Sequence, residues 1–215
     1  MSLYPLQRLL ERIYQVELGY RVDDFLIVDS RLAALLENAS TAPLREKLLV
    51  HQSDDALELS LFLEPDVVRR LRAENPLHRL HEGNLEAFLL ALEGISHFLY
   101  LGWKAGQDRE VSLLELELQA EVDKFVATLL LLRRQCRNCA PGPVRMRLFE
   151  HCRFAGHLEG EALQRYRHAN RYAGKYCWRL EDRYLRRRQV SAMLAELQHF
   201  YRLPQRQKIR LIETA

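Results

Sequence analysis

The sequence predicts an α-rich α+β fold: a small N-terminal α-β-(α)-β-β unit with a three-stranded antiparallel sheet, followed by a larger helical, bundle-like part. Two patterns carry this expectation. Short β-branched or alternating runs flanked by turn residues gather in residues 1–64, and beyond Pro65 apolar residues recur at helical spacing. The alternating Leu114-Glu-Leu-Glu-Leu118 is the exception, and the spacing Leu118, Val122, Phe125, Leu129, Leu132 downstream of it favours a helix. The expected parts are 1–75, the small α+β part, and 76–215, the helical part, either as separate domains or as one continuous domain.

Taken in order, Leu3 to Glu17 places Leu6, Leu9, Leu10, Ile13 and Tyr14 on one helical face, with Gly19 as its C-terminal cap. Asp24 to Asp29 encloses Phe-Leu-Ile-Val and reads as a strand. Ser30 is positioned to cap a short helix, Arg31 to Glu37, before a loop at Asn38 to Pro43. Strands are expected at Lys47–Gln52 and Ala56–Leu63, joined by Ser53-Asp54-Asp55. The second alternates Leu57-Glu58-Leu59-Ser60-Leu61, as a sheet with one wet face requires.

Past Pro65 the predicted helices are Asp66–Glu74, Asn84–Lys104, Leu113–Arg134, Val144–Phe154, Glu161–Arg188 and Gln189–Tyr201, with a short element at Lys208–Ile212. Ser112 and Glu115 have the spacing of a capping box. Within 161–188, Leu163, Tyr166, Asn170, Ala173, Cys177, Leu180 and Tyr184 form a heptad seam, which offers a surface for homo-oligomerisation.

Composition narrows the class. At 48% hydrophobic and 28% charged, 215 residues can bury a core, which excludes a disordered tail, a collagen-like repeat and a small disulfide scaffold. Charges interrupt the N-terminus at Arg8, Glu11 and Arg12, and Phe88 to Trp103 carries Glu93 and His97. A cytoplasmic chain with reduced thiols and no membrane partner is the expectation. The net charge of +3 averages two unlike parts. Residues 1–125 hold 13 Lys/Arg against 22 Asp/Glu, and residues 126–215 hold 19 against 7. Either the two parts neutralise each other or the basic part meets a polyanion.

Three constellations are candidates for chemistry. Glu86, Glu93 and His97 share one polar stripe of the 84–104 helix, and Glu117 and Glu121 stand one turn apart on the next. Two antiparallel helices bearing these groups would make a carboxylate/His site suited to a metal or to acid–base work, although the Glu-x-x-His repeat of di-metal bundles is absent. Cys136, Cys139, Cys152 and His157 have the donor types and spacing of a structural zinc site, while Cys136 and Cys139 sit in a Pro-Gly turn that needs no metal.

The third is a basic helical face of Arg165, His168, Tyr172, Lys175, Arg179, Arg183 and Arg186. Arg187 and Arg188 extend it, and Tyr176 and Trp178 are interleaved. Arginine forks bind phosphate and aromatics stack on bases, so this face suits nucleic acid or an acidic protein. No P-loop, Gly-x-Gly-x-x-Gly, Gly-x-Ser-x-Gly or His-Glu-x-x-His motif is present. The expected function is an intracellular interaction or regulatory protein using the basic C-terminal helices. The alternative is a metal-dependent enzyme with the carboxylate/His site.

Overall fold

The computed structural model describes residues 2–37, 45–53, 56–136, 140–151 and 159–214. The fold is 70% helical with one three-stranded sheet, an α-rich α+β arrangement. The chain forms two compact units. The first comprises Met1–Leu9 and Glu17–Arg109, and the second Leu10–Val16 and Glu110–Ala215, so the position expected for a boundary, near residue 75, falls inside the first unit.

Helix α1 (Tyr4–Tyr14), of which residues 4–9 belong to the first unit and 10–14 to the second, begins where Leu3 N–H donates to Asp23 Oδ1 at 2.7 Å, and the Ser2 hydroxyl donates to the same carboxylate. The helix stops earlier than Gly19: Gln15 already adopts φ of 50°. A 3₁₀ turn (Val22–Phe25) then occupies part of the expected first strand, leaving a two-residue β1 (Leu26–Ile27). Asp29, rather than Ser30, caps α2 (Ser30–Glu37), accepting from Arg31 N at 2.8 Å.

β2 (Glu46–Gln52) and β3 (Leu57–Leu63) pair antiparallel in the register Glu46↔Leu63 to Gln52↔Leu57. β1 runs parallel to β3, so the sheet is mixed, in the order β1-β3-β2, and not antiparallel throughout. α2 lies in sequence between β1 and the β2–β3 hairpin, which gives the chain room to cross over and enter β1 and β3 in the same direction. The alternation of β3 ends at Leu61, Phe62 and Leu63, which are all buried where β1 joins.

α3 (Pro65–Ala73) starts on proline, whose missing N–H costs nothing in a first turn. α4 (Glu82–Ala105) is capped by His81 and Asn84: His81 Nδ1 accepts from Gly83 N at 3.1 Å, and Asn84 Oδ1 accepts from His81 N at 2.9 Å. It packs on β2, β3 and α3. Among the described residues, α4 alone has the length and apolarity of a membrane-crossing helix, and 67% of that stretch is buried in the protein. Gly94 is what permits the close approach to the sheet, because a Cβ there would collide with Leu61 and lie 2.9 Å from Glu46 Oε1.

In the second unit, α5 (Leu113–Gln135) opens with Ser112 Oγ accepting from Glu115 N at 3.1 Å. The Glu115 carboxylate accepts from Gln205 N at 3.1 Å, so it also serves the start of α9 (Gln205–Glu213). α6 (Pro141–Arg145) continues into a π turn at Met146–Glu150. α7 (Gly160–Leu180) packs on α5 and continues into a second π turn, Glu181–Leu185. α8 (Val190–Arg202) completes the unit.

Ala169 and Ala173 keep the α7 face small where it meets the unit interior, and Cys177 and Leu180 continue that face. The π turn inserts one residue into the helical repeat, so the next buried positions are Glu181 and Leu185 instead of Tyr184. Of the heptad seam, Asn170, Ala173, Cys177 and Leu180 are buried, with α7 packed on α5, while Leu163, Tyr166 and Tyr184 are half-buried. Two aromatic stacks, Tyr14 on Tyr201 and Tyr176 on Phe200, each with centroids 4.1 Å apart, fill the rest.

Candidate functional site

The surface of α7 separates cleanly by angle. With 100° per residue, Ala169, Asn170, Ala173, Tyr176, Cys177 and Leu180 are buried on one side. Opposite them Arg167, His168, Arg171, Lys175 and Trp178 are exposed within an arc of about 100°. Over the 12 residues from Arg167 to Trp178 this stripe runs about 17 Å. Among the described residues, Arg167, Arg171 and Lys175 form no ion pair. Arg171 lies over the Tyr172 ring, 5.1 Å from its centroid, and the His168 and Tyr172 rings are 6.4 Å apart.

The face expected from the sequence is rotated from this stripe by about 70°. Several of its members are engaged inside the unit. Arg179 donates to Glu196 Oε1 and to the Leu211 carbonyl, both at 2.6 Å, and its side chain is only 12% exposed. Arg183 reaches Glu196 at 3.6 Å and Arg186 pairs with Asp182 at 2.9 Å. Arg165 is half-buried over Tyr166, and Tyr176 is buried. His168 and Lys175 stand exposed as expected, with Tyr172 half-buried beside them. Arg167 and Arg171 were missed, although their offset from Ala169 and Ala173 marks them as outward-facing.

Comparison with protein-family models, curated proteins and solved structures finds no match to this chain. Function therefore rests on the geometry alone.

The carboxylate/His candidates divide between the two units. In the first, Glu93 is half-buried and His97 buried, one turn apart on α4. His97 Nδ1 is 3.8 Å from Glu46 Oε1 on β2, a partner the helix pattern alone does not reveal. Glu86, 11 residues before His97, is exposed and pairs with Arg45, so helix rise alone holds it about 17 Å from the imidazole. In the second unit Glu117 is buried, and Glu121 accepts from Lys124 at 2.6 Å.

Of the zinc set, Cys139, Cys152 and His157 lie outside the described residues, and Cys136 is an exposed free thiol. Cys177, which belongs to no ligand set, is buried, and burial pushes its thiol pKa well up.

A buried polar chain also runs through the second unit. The Tyr14 hydroxyl donates to Asp123, Gln119 Nε2 donates to Asp123 at 2.7 Å, and Lys208 Nζ donates to Gln119 Oε1 at 2.6 Å. All four residues are fully or nearly fully buried, and the ammonium lies 4.8 Å from the Phe200 centroid. Gln119 here carries hydrogen bonding from a cation to a carboxylate, the satisfaction that buried charges demand. Burial, reinforced by Asp123, raises the Tyr14 pKa well above its usual value.

Proposed function

We propose that this chain is an intracellular interaction protein that binds a polyanion, with nucleic acid the favoured ligand and an acidic protein the competing one, through the exposed stripe of α7. The observation that carries the reading is the set Arg167, Arg171 and Lys175: three outward cations, one helical turn apart, with no ion pair among the described residues. Fixed cations in such a row attract phosphates, and their release of counterions makes binding salt-dependent.

The test is a fluorescence-anisotropy titration of labelled oligonucleotide at low ionic strength. Wild-type protein binds in the nanomolar-to-micromolar range, and the triple variant Arg167→Glu/Arg171→Glu/Lys175→Glu loses binding. Equal binding by the two proteins would overturn the reading.

A second reading, a metal-dependent or acid–base enzyme, is favoured by the approach of His97 to Glu46 with Glu93 one turn away in the first unit. Metal analysis of untagged protein tests it. Iron or manganese that is lost in His97→Ala supports this reading, and metal-free protein removes the metal-dependent form.

A further inference from the structure

Resting on the polyanion reading, we infer that the α7 stripe takes single-stranded nucleic acid, with Trp178 as a base-stacking platform and Arg167, Arg171 and Lys175 as the phosphate contacts. Trp178 is 50% exposed, on a surface otherwise made of charged and polar groups. It follows Lys175 by three residues and Arg171 by seven, so all three lie on one side of the helix. Arg171 and Lys175 are separated by about 6 Å along the axis, and Trp178 stands about 4.5 Å beyond. Cation, cation and indole thus follow one another in a line that a short stretch of strand can track.

The indole decides among polyanions. In a duplex the base faces are consumed by stacking on each other, so an outward tryptophan has no ring to cover it. An acidic peptide satisfies the cations but offers the indole no π face. An unpaired strand presents both phosphates and bases, and a base stacked on an aromatic side chain adds affinity with little sequence preference. Tyr172, held against Arg171 and His168, supplies a second ring at the edge of the stripe.

The experiment uses the full chain carrying Trp103→Phe, which leaves Trp178 as the only tryptophan. Oligothymidylate of about 12 nucleotides, a duplex of equal length and a polyglutamate peptide are titrated separately. The single strand is expected to quench the Trp178 emission and to bind more tightly than the other two. In the chain that retains Trp103, Trp178→Ala is expected to weaken single-strand binding by about 5- to 100-fold, with Trp178→Phe restoring most of it. Unchanged affinity in Trp178→Ala, or duplex binding as tight as single-strand binding, overturns this inference. It leaves the polyanion face standing if the triple charge reversal still abolishes binding. Tighter binding of polyglutamate overturns the nucleic-acid assignment itself.

Discussion

Arg179 and Glu196 meet at 2.6 Å, each with a side chain only 12% exposed, and Glu196 also accepts from the Tyr184 hydroxyl at 2.5 Å. One glutamate on α8 therefore holds the C-terminal end of α7 and withdraws Arg179 from the surface charge. Arg179→Ala is expected to cost about 2 kcal/mol of stability, since it strips a charged hydrogen-bond partner from Glu196 and a donor from the Leu211 carbonyl. Polyanion affinity should hardly change. Lys175→Ala is expected to do the reverse, with stability within about 0.5 kcal/mol of wild type and weaker binding. Urea denaturation and anisotropy on the two variants check the pair.

Gln119 bridges Lys208 to Asp123 in the interior of the second unit. Gln119→Leu removes one hydrogen bond from the ammonium and one from the carboxylate and is expected to cost about 1.5–3 kcal/mol. A cycle with Lys208→Met, measured by denaturant unfolding, should show strong coupling, because the second substitution removes a charge already deprived of its bridge.

The same interior sets an alkaline limit. Burial, aided by Asp123, raises the pKa of Tyr14 well above 10.0, and burial does the same for Tyr176 and Tyr201. A raised folded-state pKa contributes stability that is complete below the unfolded value and is lost as pH rises through the folded one. Tyrosinate absorbance should therefore show three phenols that ionise only as the protein unfolds in alkali.

Asp23 works in the opposite direction. Burial pushes its carboxyl up, but the Ser2 hydroxyl, the Leu3 N–H and Arg21 outweigh this and hold it below its ordinary 3.8. Its contribution is present above that value and is lost as pH falls through the folded pKa. Asp23→Asn is expected to lower stability at neutral pH and to match wild type in strong acid, as measured by thermal unfolding at the two pH values.

Gly94→Ala is expected to destabilise by about 1–3 kcal/mol, because the added methyl must displace buried Leu61 beneath α4. Equal melting temperatures for the two proteins would contradict the close approach of α4 to the sheet.

The helices were legible because their signals are local. Ser112, Pro65 and the apolar repeats of α4 and α5 act within a few residues of themselves. The parallel pairing of β1 was not legible, since Leu26 meets Leu61 across 35 residues and no local pattern fixes the direction. Asp29 was passed over as a cap because Ser30 beside it is an equally good one.

The candidate surface was half legible. Composition located the basic helix, but the π turn is a register shift and the ion pairs of Arg179 and Arg183 depend on Glu196 of another helix, while the pair of Arg186 with Asp182 is a local one four residues apart. Once those arginines are set aside, the centre of the exposed face moves to Arg167, Arg171, Lys175 and Trp178. Glu46 was invisible beside His97 for a similar reason, as strand and helix meet only in the folded unit.

The most direct test of the central claim is the salt dependence of single-strand binding. For about three phosphate contacts, the slope of log K against log salt is about −2, and each cation removed from the stripe should reduce its magnitude by about 0.7. The account predicts that slope for wild type, a shallower one for Lys175→Ala, and an unchanged one for Arg179→Ala. A slope unaffected by Lys175→Ala, or an absence of binding at low salt, would contradict it.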